Sequence, residues 1–198
     1  MKSFKPFGPS LGKGRLSKKI IRCINKIIDK SVINKKNDYS PKLVSQIKNE
    51  IKLSNNFVKK NLSKELIKNI KKFLIKSDSN KIKEIKIINL WVIRQFKNEY
   101  NPVHFHGSDI SGVGYLKVPK NLTLGKKKIK TNGTIDFING TKSFMNNSIY
   151  NHIPKVGDMI FFPNNLMHTA YPFSVNGERR SFSFNLEIDK KISNVFND

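Results

Sequence analysis

The hydrophobic pattern changes period near residue 80, and this switch restricts the fold more than any other feature. Before it, apolar residues recur at helical spacing. Ile20, Ile21, Ile24, Ile27 and Ile28 follow Ser17; Leu43, Ile47 and Ile51 follow Ser40-Pro41; Leu66, Ile67, Ile70, Phe73 and Leu74 follow Ser63. Ser17 and Ser40 read as N-caps, the second with a proline where no N–H is needed. Asp78-Ser79-Asn80 reads as a turn. After it, Ile85, Ile87, Ile88, Leu90, Trp91, Val92 and Ile93 form a dense β-branched and aromatic run of one or two strands. Segments 113–118, 134–138, 159–162 and 179–188 are also short, apolar and bounded by Gly, Pro, Asn or Asp. Such a series of short strands predicts a sandwich or small barrel. The class is therefore α+β, mainly β. Residues 1–80 supply a Pro- and Gly-bearing segment (1–14), which reads as a loose tail or an arm lying on the core, and helical support, and residues 81–198 supply the β core of one compact domain.

The 38 Lys+Arg against 14 Asp+Glu leave a formal net charge of +24. That balance permits a nucleic-acid partner. Lysine is spread along the whole chain, however, and arginine, the better phosphate fork, occurs only at Arg15, Arg22, Arg94, Arg179 and Arg180. Nucleic acid is thus a possible partner but not the favoured one. The lysines on the helices and Lys126-Lys127-Lys128 read as solvated faces and a solvated turn. The single cysteine, Cys23, excludes an internal disulfide and a cysteine metal cluster, and among its isoleucine neighbours it reads as a small core residue. No apolar run is long enough to span a bilayer and the N-terminus lacks a signal-peptide core, so the expected address is the cytoplasm, or a host cytoplasm for a viral chain.

Three of the four histidines carry the strongest chemical signal. His104 and His106 stand at i, i+2, and His168 lies downstream, after the apolar run 159–162 and Pro163. On a strand, i and i+2 share a face about 6.6 Å apart. That spacing lets two imidazoles converge on one ion at about 2.1 Å. His152 has no such context and reads as a loop residue. In 179–188, Arg179, Ser181, Ser183 and Asn185 alternate with Arg180, Phe182 and Phe184. An arginine fork beside a hydroxyl suits a carboxylate. The alternatives are that the phenylalanines face the core while Arg179 faces water, or that Arg180 replaces Arg179 after a register slip of one.

Five blocks in order, from Trp91 to Asn185, give this chain a family resemblance. They are Trp91, His104-Phe105-His106, Ser111-Gly112-Val113-Gly114-Tyr115, Gly157-Asp158-Met159-Ile160-Phe161-Phe162-Pro163 with His168, and Arg179-Arg180-Ser181-Phe182-Ser183-Phe184-Asn185. Over about 91–186 the chain resembles the iron(II)- and 2-oxoglutarate-dependent oxygenases, closest to a small bacterial and phage-type subfamily with His-x-His, His and Arg-x-Ser.

The resemblance implies a double-stranded β-helix (jelly roll) braced by the N-terminal helices. It implies a dioxygenase that uses Fe(II), 2-oxoglutarate and O2, forms succinate and hydroxylates a substrate the sequence does not identify. Across the wider family the first pair is His-x-Asp or His-x-Glu, so the second ligand stays open. The i, i+2 geometry favours His104, His106 and His168 as ligands, with Asp109 as the alternative to His106. Arg179 and Ser181 fall on the family's cosubstrate positions, and Tyr115 joins them by the same resemblance. Trp91 reads as packing. Two other functions remain in view: a cupin-like metalloenzyme without 2-oxoglutarate, and a basic nucleic-acid-binding protein on a jelly-roll scaffold.

Overall fold

The computed structural model describes residues 2–4, 8–31, 36–77, 82–124, 131–144 and 146–194. The expected turns at Asp78-Ser79-Asn80 and Lys126-Lys127-Lys128 lie outside the described residues, apart from the flanks. Among the described residues, two antiparallel sheets, one of seven strands and one of four, pack about a shared core. The larger runs β1 (Lys2–Phe4), β2 (Leu11–Arg15), β9 (Asp158–Pro163), β6 (Ile110–Lys117), β11 (Arg179–Ile188), β4 (Ile85–Gln95), β3 (Glu50–Lys52). The smaller runs β5 (Asn101–His104), β10 (Met167–Ala170), β7 (Ile135–Ile138), β8 (Ile149–His152). This is the jelly-roll architecture, mainly β.

Helices cover the outer face of the large sheet. In α1 (Lys18–Lys30), Ser17 Oγ accepts from Ile20 N–H and caps the first turn, and Ile20, Ile24 and Ile28 are buried. In α3 (Ser63–Ser77), Leu66, Ile70, Phe73 and Leu74 are buried. Both stripes join one core with Leu90, Val92, Met159, Phe161, Phe182, Phe184 and Leu186. Phe182 and Phe184 are fully buried there, and the burial of each contributes about 2–3 kcal/mol. A second core, with Val113, Tyr115, Phe137, Ile160 and Phe162, fills the space between the sheets.

β6 explains how the phenylalanines fit. Ser111, Val113 and Tyr115 point inward, while Gly112 and Gly114 lie opposite Phe184 and Phe182 in register. A Cβ at Gly112 would stand 2.2 Å from Phe184 Cζ, and one at Gly114 2.5 Å from Phe182 Cε1. Glycine is required at both positions by close approach of an aromatic ring.

Several expectations are corrected. Of the two readings of the N-terminal segment, the loose tail gives way to the arm on the core, which is a strand: β2 pairs with β9 along Gly12–Arg15. The helix expected from Ser40 is only a short 3-10 turn, Ser40–Lys42. Ile51 and Leu53 are buried while Lys52 is exposed, a period of two that lets β3 cover the edge of β4. The helical spacing of Leu43, Ile47 and Ile51 was coincidental. A helix not expected, α2 (Asn55–Asn61), starts at the Ser54 cap. A last short helix, α4 (Lys190–Ser193), follows β11. Cys23 is only partly buried. No helix among the described residues is long and apolar enough to cross a membrane.

Candidate metal centre and anion pocket

Strand pairing assembles the histidines. β5 and β10 are antiparallel neighbours, and His104 and His168 are direct cross-strand partners. His106 lies just beyond β5 rather than on it. Its position is set by a two-way clamp: its N–H donates to the Asn164 carbonyl at 2.9 Å, and Asn164 Nδ2 donates back to the His106 carbonyl at 3.0 Å. One ring nitrogen from each of the three histidines lies within 4.8 Å of the others. His106 Nε2 and His168 Nε2 are 3.2 Å apart.

The outer nitrogens fix the tautomers. His104 Nδ1 lies 2.7 Å from the Pro102 carbonyl and His168 Nδ1 2.9 Å from the Leu166 carbonyl. A carbonyl only accepts, so both Nδ1 atoms carry protons and both Nε2 lone pairs are left to bind. Burial holds all three rings neutral. It lowers His104, brings His106 down to about 4, and takes His168 well below its usual value. Phe162 meets His168 edge-on at 4.8 Å, and Trp91 lies 6.0 Å from His106, so apolar rings flank the cluster.

Asp109 does not join this cluster. Its Oδ2 accepts from Ile188 N–H at 2.9 Å, and Lys190 Nζ is 3.5 Å away. Asp109 secures the end of β11, and the alternative that made it a ligand is set aside.

The histidines border a cavity of about 270 Å³ that reaches Arg179, Ser181, Ser183 and Asn185 on β11. The polar alternation of that strand therefore points into the cavity, and the phenylalanine alternation points to the helices. Both faces are buried, which is why polarity alone could not orient it. Arg179 is 3% exposed. Its Nη1 donates to the Gly133 carbonyl at 2.7 Å and its Nη2 to Gln95 Oε1, while Nε has no partner among the described residues. No ion pair to Arg179 forms among the described residues. Burial lowers its pKa, the nearby Tyr115 opposing; an arginine stays protonated regardless. Tyr115 borders the same cavity, and burial pushes its hydroxyl up to about 12. Arg180 points the other way: Nε donates to Glu178 at 2.7 Å and Nη2 to Asp29 at 2.8 Å, tying β11 to α1. It is not a rival for the cavity.

Sequence reasoning missed Gln95, Glu50 and His152. Gln95 is fully buried and pairs with Arg179 across β4 and β11. The signal was the polar residue continuing the inward phase of Trp91 and Ile93. His152 ends β8 instead of lying in a loop. It is 4% exposed, with Nε2 3.4 Å from Asp158 Oδ2. Burial lowers it to about 4.

Glu50 is 0% exposed and borders the cavity. Burial pushes its carboxyl from 4.5 up to about 7, with Asp38 and Glu99 adding to the rise. Between these values the folded chain keeps a proton that the unfolded chain releases. Stability therefore falls as pH rises from about 4.5 to 7 and then levels off. In urea unfolding, Glu50→Gln should gain on wild type across that window, by up to ~3 kcal/mol at its upper end. A wild-type-to-variant difference independent of pH would contradict this.

The fold and site together define a double-stranded β-helix with a three-histidine cluster facing a buried arginine. Similar solved structures share that fold. HygX from Streptomyces hygroscopicus, with nickel and 2-oxoglutarate bound, aligns at TM-score 0.60 and 10% identity over 93% of this chain and 84% of that one. The viral collagen prolyl hydroxylase vCPH from Paramecium Bursaria Chlorella virus-1, a 2OG complex, aligns at 0.56 and 19% identity over 89% and 94%. A prolyl hydroxylase from Trichoplax adhaerens, in complex with a hypoxia inducible factor oxygen degradation domain peptide fragment, aligns at 0.58 and 12% identity over 95% and 87%. At these identities the likeness is one of fold. No curated protein matches the sequence. The family described as "Putative 2OG-Fe(II) oxygenase" matches residues 89–185, the segment that carries every site residue named above except Glu50. Over those residues the chain is similar to the 2OG-Fe(II) oxygenase family.

Proposed function

We propose that this protein is a non-haem iron(II)- and 2-oxoglutarate-dependent dioxygenase that hydroxylates its substrate. His104, His106 and His168 are the metal ligands. Arg179, with Ser181 and Tyr115, holds the far carboxylate of 2-oxoglutarate. The observation that carries this is the pairing of two unfilled needs across one cavity: converging imidazole nitrogens within 4.8 Å of one another, and a buried guanidinium whose Nε has no partner among the described residues. A cupin-like enzyme without a dicarboxylate would leave that cation without a purpose.

Bound together, iron(II), 2-oxoglutarate and dioxygen supply the oxidant for C–H hydroxylation, the 2-oxoglutarate ending as succinate and carbon dioxide. The chain does the rest. The carbonyls of Pro102 and Leu166 hold two rings in the ligating tautomer. His106 has its Nε2 3.2 Å from the lone pair of His168, so in the metal-free protein it donates a proton there. To ligate, it shifts that proton to Nδ1. Gln95 and the Gly133 carbonyl orient Arg179 before any anion arrives. Phe162, Phe137 and Trp91 keep the histidines in an apolar collar that limits water.

Anaerobic titration of the protein with iron(II) and 2-oxoglutarate tests the assignment. A visible charge-transfer band should grow and saturate at one equivalent of each. Iron binding with no band would refute a chelating cosubstrate.

A further inference from the structure

The cavity continues beyond the histidines to a wall that the proposed chemistry does not use. Segment 39–50 is held over the inner face of β4 by a small core of Ile47, Trp91 and Ile93, with Tyr39 and Leu43 packed against it. Glu50 closes this segment, fully buried and bordering the cavity. Its Oε2 accepts from the Ser45 hydroxyl; among the described residues its Oε1 has no hydrogen bond of standard geometry, and the Trp91 indole N–H, likewise unpaired, lies beside the carboxyl. No ion pair to Glu50 forms among the described residues. Lys42 borders the same cavity but is placed over the Tyr39 ring, its Nζ 5.9 Å from the centroid. Asn101 Oδ1, on the same cavity, is a second buried acceptor without a donor.

The aromatic part of the wall is formed by Tyr39 and Trp91, ring centroids 5.4 Å apart. Trp91 also stands 6.0 Å from the ring of His106, so a group held at this wall is adjacent to the metal centre. Buried acceptors lacking donors, beside aromatic faces, are complementary to a nitrogen cation. Above about pH 7, where Glu50 is ionised, they are hostile to an anion.

We infer that this wall is the substrate-recognition site, and that it selects a substrate bearing an alkylammonium or guanidinium group, bound by Glu50 against Tyr39 and Trp91. The inference rests on the oxygenase reading for the position of the oxidised carbon, but not for the binding itself. Glu50 acts as a specificity residue: it holds one end of the substrate while the carbon to be oxidised lies by the histidines.

Trp91 is the only tryptophan in the chain, so its fluorescence reports on this wall. The full chain is titrated with Nα-acetyl-lysine amide, Nα-acetyl-arginine amide and uncharged Nα-acetyl-norleucine amide, first without metal and then with iron(II) and 2-oxoglutarate under anaerobic conditions. At least one cationic probe should perturb Trp91 saturably and bind at least ~10-fold more tightly than the norleucine probe. Glu50→Gln should remove that preference while leaving the norleucine response and the charge-transfer band intact, which a folding defect would not do. The proposal is overturned if no probe perturbs Trp91, if the three probes bind alike, or if the preference survives in Glu50→Gln. Loss of the charge-transfer band in wild type, with cation selectivity retained, would refute the oxygenase reading instead.

Discussion

His168→Ala should lower iron(II) affinity by at least ~100-fold, more than loss of an outer partner costs, and abolish succinate formation. His168 is 5% exposed and sits between His104, on the neighbouring strand, and the Phe162 ring. Its Nε2 lone pair is aimed at the cluster because the Leu166 carbonyl occupies Nδ1. Alanine removes a ligand while the strand pairing, carried by backbone, persists. The charge-transfer titration should therefore fail although unfolding by urea stays cooperative. Asp109→Asn is the matched control. Its carboxylate serves β11 and α4, so the variant should lose stability and keep metal affinity. An iron titration of His168→Ala that overlays wild type would remove the metal assignment.

Arg179→Lys should raise the 2-oxoglutarate concentration needed for the band by ~100-fold, equivalent to ~3 kcal/mol, with iron binding alone unchanged. Lysine keeps the charge and loses the fork. Gly133 and Gln95 take one N–H each from Nη1 and Nη2, which leaves the Nε N–H and the second N–H of each Nη for an incoming anion. A single ammonium cannot serve both frame and anion. The effect should appear in the cosubstrate KM, with the rate at saturation less affected. Equal 2-oxoglutarate affinity in wild type and variant would favour an enzyme that does not use this cosubstrate.

Much of the site was legible because it depends on short-range spacing. Arg179 and Ser181 are two apart on one strand, so local backbone geometry groups them; His104 and His106 are also two apart, but His106 lies beyond β5 and is held in place by Asn164. The β class followed from the dense run at Ile85–Ile93 that became β4. What escaped was set by partners distant in sequence. Ile51 obeys the edge of β4 rather than its own helical spacing. Gln95 matters through Arg179, which is 84 residues away. Glu50 matters because segment 39–50 folds over the cavity, and no neighbour in sequence announces that. The orientation of 179–188 stayed open for a related reason: with helices on one side and the cavity on the other, both of its faces are largely buried.

Arg179 and Arg180 are adjacent, yet one serves the cavity and the other is bolted to Glu178, Asn25 and Asp29 on the opposite side. Shifting the strand by one residue would exchange their directions and send Phe182 and Phe184 into the cavity. This strand should therefore tolerate substitution far better than any change in length: deleting one residue between 180 and 185 forfeits the anion anchor and the packing of the helical layer in a single event.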